Sequence, residues 1–168
     1  QLTQKFSNQI DAKRIFVDGE TIDKSEDVLG LLGPYDLALG GVGNSIFVTS
    51  YVSGNLSRWN KHTNGNYYKG VSFDKSQYAQ LSGVQAVSSD LGSQLAAVSM
   101  ESNSVSLFEY SNTDYSDKGF SLKQTLLSTE QLKLEQPSNV FFLNHDLLLV
   151  STKSNLMMFK KSLSGQFE

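Results

Sequence analysis

The chain has 168 residues, 39% of them apolar and 18% charged, which suits one soluble domain able to bury about two-thirds of its unfolded surface. A formal charge of −3 argues against a nucleic-acid surface, which needs clustered Lys and Arg; the nearest thing, Arg58, Lys61, His62 and Lys69, reads as decoration of a solvated edge. Cysteine is absent, so disulfides and thiolate chemistry are excluded, and no apolar run reaches the ~18–20 residues a membrane-spanning helix needs.

The chain opens on Gln1 rather than Met. A removed signal peptide would do this, as would proteolysis or expression of part of a protein; the Ser/Asn-rich polar set leans the reading towards export. Residues 13–24 predict a hairpin, Lys13 to Val17 running into Asp18-Gly19 and Glu20 to Asp23 running out. Asp-Gly supplies the positive φ angles of a two-residue turn. Leu29 to Leu32 lead to Pro34, where the dominant pattern begins.

That pattern occurs three times. Pro34 to Leu39 is followed by Ile46-Phe47-Val48-Thr49 and then Ser53 to Trp59. Val84 to Val87 is followed by Leu95 to Ser99 and then Ser102 to Phe108. Pro137 to Phe142 is followed by Leu147 to Ser151 and then Ser154 to Phe159. Trp59, Phe108 and Phe159 stand 49 and 51 residues apart. A period near 50 made only of strands predicts β-propeller blades.

The middle run of each repeat is continuously apolar, which predicts a strand covered on both faces. Leu56, Val105 and Leu156 align in the third strands, as do Arg58, Leu107 and Met158. Arg58 breaks an apolar column, so that side of its blade is expected to be partly exposed or to abut something polar. Val42-Gly43-Asn44, Asp90-Leu91-Gly92 and Asn144-His145-Asp146 are turn residues between first and second strands. Outer strands are expected at 66–73 and 120–127. Ser128 and Gln131 have capping-box spacing, but a loop is the preferred reading there. The blades are drawn at 34–82, 83–136 and 137–168.

With these stretches in view the chain resembles the seven-bladed, lactonase-like (YVTN-type) propellers. The resemblance rests on Pro34-Tyr35-Asp36, Ser88-Ser89-Asp90-Leu91-Gly92, Phe47-Val48-Thr49-Ser50 and Val98-Ser99 through Asn103, and spans roughly residues 13–160. No WD dipeptide closes a blade, no Gly-Gly doublet follows the kelch pattern, and no Asp-x-Asp-x-Asp loop is present. The resemblance implies an all-β arc of about three four-stranded blades plus the leading hairpin, about half a ring. Such an arc would leave apolar sheet faces open, to be covered by further blades, a second copy or another protein.

Chemistry is sparse. His62 and His145, the two histidines, read as exposed loop and turn residues, and no Gly-x-Ser-x-Gly elbow occurs. Gly40-Gly41-Val42-Gly43 reads as a hairpin turn, since no Lys-Ser/Thr or helix follows it. The resemblance places Asp36 and Asn139, with Val84 at the equivalent second-repeat position, and the loop residues Tyr51, Glu101 and Lys153 on the channel face. These are the candidate binding residues; no catalytic residue, metal ligand or cofactor is assigned, although a convergent Asp/Glu/Asn cluster would be the place for a divalent cation. The favoured function is a non-enzymatic interaction or scaffold module completed by a protein partner or a second copy, with no nucleic acid and no membrane span. The alternative is a metal-assisted lactonase-type hydrolase whose other blades lie outside this chain.

Overall fold

The structure, a computed structural model, describes residues 32–63, 65 and 67–168. The hairpin expected over residues 13–24 lies outside the described residues. Within them the chain forms three antiparallel sheets in chain order. The first holds β1 (Pro34–Gly40), β2 (Ser45–Ser50), β3 (Asn55–Lys61) and β4 (Tyr67–Phe73). The second holds β5 (Val84–Ser89), β6 (Gln94–Ser99), β7 (Ser104–Tyr110) and β8 (Phe120–Leu127). The third has three strands, β9 (Asn139–Asn144), β10 (Leu147–Ser151) and β11 (Leu156–Lys160), and an isolated bridge from Lys161 to Phe167 beyond them. Both expected outer strands are present. The segment after Ser128 is a loop, in which Leu132 N donates to Thr129 Oγ1 at 2.9 Å.

Strand register explains the repeat. Ile46 lies opposite Trp59, Leu95 opposite Phe108 and Leu148 opposite Phe159, so the three aromatics share one face of their sheets, and all three are buried. The other face carries Phe47 with Arg58, Ala96 with Leu107, and Leu149 with Met158. A continuous apolar strand feeds both faces at once, and only stacking of sheet on sheet can bury both.

Two cores result. Between the first and second sheets, Phe47, Leu56 and Phe73 meet Leu95, Ala97, Phe108, Tyr110 and Phe120. Phe120 stacks on Phe73 at 4.5 Å and on Phe108 at 4.8 Å between ring centroids. Between the second and third sheets, Ala96, Val98, Val105, Leu107 and Leu126 meet Val140, Phe142, Leu148, Val150 and Phe159. β2 is buried along its whole length, but β10 alternates between buried and half-buried residues. The two-faced burial expected of all three middle strands therefore fails for β10. Among the described residues no sheet packs on the far side of the third.

Arg58 corrects another expectation. It is no part of a solvated edge: its guanidinium is buried, 4.8 Å from the Tyr115 ring centroid and 5.2 Å from that of Tyr110. It donates to the carbonyls of Ser111 (2.7 Å) and Asp114 (3.5 Å) and to Ser45 Oγ (3.0 Å). The polar surroundings that the broken column called for are these loop carbonyls of the second sheet. Burial pushes the Arg58 pKa down, and a planar fork over aromatic faces is the form of cation that tolerates it.

Phe108 sits in the aromatic stack and is almost wholly buried. Phe108→Ala is expected to cost about 3–5 kcal/mol in denaturant unfolding. A loss under ~1 kcal/mol would mean that the ring does not hold the two sheets together.

Candidate functional site

The first strands of the three sheets run side by side, and polar groups tie each to the next. Thr49 Oγ1 lies between the carbonyls of Asp36 (3.3 Å) and Gln85 (3.2 Å). Gln85 Nε2 donates to Pro137 O at 3.2 Å, and Phe142 N donates to Ser88 Oγ at 3.0 Å. Asp36 takes part in the same seam. Its Oδ1 accepts from Leu37 N at 2.8 Å and its Oδ2 from Val87 N at 3.0 Å, so the carboxylate bridges the first and second sheets.

The other channel-face candidates divide in two. Tyr51 donates its hydroxyl to Glu101 Oε1 at 3.4 Å, and Ser82 donates to Glu101 Oε2 at 2.7 Å, joining loops of the first two sheets. The chain can pass Glu101 only because residue 83 is glycine. Its φ is +68°, and a Cβ there would lie 2.9 Å from the Glu101 backbone nitrogen. Asn139 and Lys153 are exposed on the third sheet. Asn139 Oδ1 accepts from Val140 N at 2.8 Å, and Lys153 N donates to Glu135 O at 3.1 Å.

Register supports the equivalence of Asp36 and Asn139: they lie opposite Thr49 and Ser151, which in turn face Leu56 and Leu156. The matching residue of the second sheet is Ala86, opposite Val98, and not Val84. The same irregularity precedes both positions, between Pro34 and Asp36 and between Val84 and Ala86, so Val84 is the counterpart of Pro34. Among the described residues no three of His, Cys, Asp and Glu gather closely enough to hold a metal ion.

A tighter polar cluster lies at the opposite ends of these strands. Asp90, in the turn between β5 and β6, has a side chain only 1% exposed and accepts four hydrogen bonds. Gly92 N (2.8 Å) and Gln94 N (2.9 Å) reach Oδ1, while Gln94 Nε2 (2.9 Å) and His145 Nδ1 (2.8 Å) reach Oδ2. His145, in the matching turn of the third sheet, is 60% exposed as a turn residue should be, yet it is held by this bond. Lys161 Nζ then donates to Gln94 Oε1 at 2.9 Å and lies 3.3 Å from His145 Nε2. The sequence contained a usable signal: both turns follow the first strand of a repeat, and residues 90 and 145 stand 55 apart, close to the repeat period.

Burial alone would raise the Asp90 pKa, but the bonds from Gln94, His145 and Gly92 outweigh it and hold the carboxyl below its ordinary value. A depressed carboxylate stabilises the fold fully above its unfolded pKa, and that contribution is lost as pH falls through the folded one. Asp90→Asn is expected to cost about 1.5–3 kcal/mol near neutrality and to flatten the decline of stability below roughly pH 4. Unfolding curves between neutral and acid pH check this; an unchanged acid limb would mean that the cluster is not what fails there.

No protein-family model and no curated protein matches the sequence. Solved structures do. A candidate 6-phosphogluconolactonase from Bacteroides fragilis NCTC 9343 superposes with a TM-score of 0.63 at 16% identity, over 81% of this chain and 37% of its own. A second such protein, from Bacteroides uniformis ATCC 8492, gives 0.62 at 15%, over 80% and 39%. The β-propeller domain of Cps50 (Swd1) from Myceliophteria thermophila gives 0.55 at 13%, over 75% and 40%. The chain thus spans about two-fifths of the length of these structures. Three stacked antiparallel sheets in chain order, with these neighbours, are an arc of β-propeller blades.

Proposed function

We propose that this chain is a non-enzymatic interaction or scaffold module, an arc of propeller blades that works by presenting a blade face to a protein partner. The observation that carries the reading is the outward face of the third blade, which no sheet covers among the described residues. Leu149, Leu156 and Met158 occupy the positions of Phe47, Leu56 and Arg58 in the first blade and of Ala96, Val105 and Leu107 in the second. All six counterparts are buried against the next blade, whereas Leu156 is 72% and Met158 64% exposed, with Phe141 beside them at 59%. At the other side of the arc Leu37 and Leu39 are exposed where their counterparts Val140 and Phe142 are buried. The open faces are of complementary kind, so a second copy stacked head to tail is the simplest partner.

A lactonase-type role has the likeness to the two candidate 6-phosphogluconolactonases behind it, but at 15–16% identity that likeness concerns the fold. The two carboxylates among the channel-face candidates are engaged in the structure. Asp36 accepts from two backbone N–H groups and Glu101 from Tyr51 and Ser82, so both hold neighbouring blades together.

The test is the native mass in light scattering. The chain is expected to run near twice 18.5 kDa, about 37 kDa, and Leu156→Lys with Met158→Lys to return it to monomer with its strand content unchanged. A monomer at high concentration whose behaviour the paired substitution leaves unaltered would overturn the second-copy form of the proposal.

A further inference from the structure

The outer edge of β11 is paired at one end only. Lys160 N donates to Glu168 O at 2.9 Å, Glu168 N donates to Lys160 O at 3.0 Å, and Lys161 bridges to Phe167. In the second blade Glu109 pairs with Ser121 and Tyr110 with Phe120. Since Phe159 matches Phe108, Lys160 matches Glu109 and Phe167 matches Phe120. Both rings are buried, Phe167 with its centroid 6.0 Å from that of Phe142. From there β8 continues along β7 as far as Leu127, whereas β11 has no neighbour past Glu168 among the described residues.

The Lys160 pair shows which backbone groups of β11 point outward, and alternation along the strand makes Met158 and Leu156 the next two. Among the described residues nothing pairs with their outward N–H and C=O groups. Their side chains are exposed, and no proline, charge or bulge blunts the edge from Leu156 to Met158. The second blade shows what fits such an edge. There Leu107 and Val105, the counterparts of Met158 and Leu156, are paired with Gln124 and Leu126 of an antiparallel strand.

We propose that the edge of β11 docks an extended segment of another polypeptide, antiparallel to β11, with its backbone on Met158 and Leu156 and an apolar side chain opposite Leu156. This is the edge of the sheet whose outward face carries the reading above. It stands on backbone hydrogen bonding rather than on burial of that face, so either can fail alone.

The experiment is a titration of the full chain with a blocked synthetic peptide of the β8 sequence Leu122–Ser128, followed through backbone amide NMR signals. The amides of Leu156 and Met158 are expected to shift saturably, with a dissociation constant on the order of millimolar, and to become protected from hydrogen exchange. In the expected register the peptide N–H groups at Gln124 and Leu126 face β11 and that at Thr125 faces away. N-methylation at Gln124 and Leu126 should therefore abolish binding, and N-methylation at Thr125 should leave it intact. Met158→Pro removes an outward N–H at a kind of position where an edge strand tolerates proline, and it should also abolish binding. Three results would each overturn the proposal: no saturable shift at Leu156 and Met158, equal binding of the two N-methylated peptides, or binding that survives Met158→Pro. Protection of these two amides before peptide is added would overturn it as well, because a second copy or residues 1–31 of this chain would then hold the edge. The two N-methylated peptides decide the matter on the unmodified chain even if Met158→Pro fails to fold.

Discussion

Everything in this molecule depends on the burial of both faces of a β-sheet by its neighbours. A middle strand such as Leu95-Ala96-Ala97-Val98 places apolar side chains on alternate faces, and a lone sheet could shield only one of them. Stacking a blade on each side removes both faces from water, at roughly 25 cal/mol for each Å² of apolar surface. Phe120 shows the interlock. It leaves the edge strand of the second blade to lie between Phe73 of the first and Phe108 of its own. The same requirement makes the outward face of the third blade conspicuous, because its residues are of the kind that the other blades bury.

Apolar packing brings the blades together, and the polar contacts between them fix how they sit. Along the inner strands Asp36, Thr49, Gln85 and Ser88 exchange hydrogen bonds from blade to blade, so the strands cannot slide without losing them. At the other end of the second and third blades Asp90 gathers donors from two turns, and Lys161 joins the segment after β11 to the same group. Arg58 has a comparable part between the first two blades, where it holds loop carbonyls while stacked among Phe47, Tyr110 and Tyr115. These groups are polar because they must be directional. Leucine in their place would pack but would not choose a register.

The similarity to solved propellers belongs to the fold and carries little about chemistry. The neighbours include candidate 6-phosphogluconolactonases and a Cps50 (Swd1) propeller domain, and one blade plan serves both. What distinguishes one propeller from another is the set of side chains at the channel and in the loops. Of the residues expected at the channel, Asp36, Tyr51 and Glu101 are engaged between the first two blades, while Asn139 and Lys153 are exposed on the third, the Lys153 N–H donating to Glu135 O.

The sequence by itself determined the repeat, the strand order within each blade, the aromatic column of Trp59, Phe108 and Phe159, and the turns at Val42, Asp90 and His145. Each is a local matter of alternation, turn chemistry or spacing. Whether a face is covered is not local, and only the tertiary structure decided it. Arg58 and Met158 occupy equivalent positions, yet one is buried in an aromatic cage and the other exposed, because among the described residues only the first has a blade beyond it. That Ala86 rather than Val84 stands level with Asp36 is likewise a matter of pairing, which depends on the partner strand. Asp90 and His145 were legible as turn residues but not as partners, since a 2.8 Å contact across 55 residues exists only once two blades have packed.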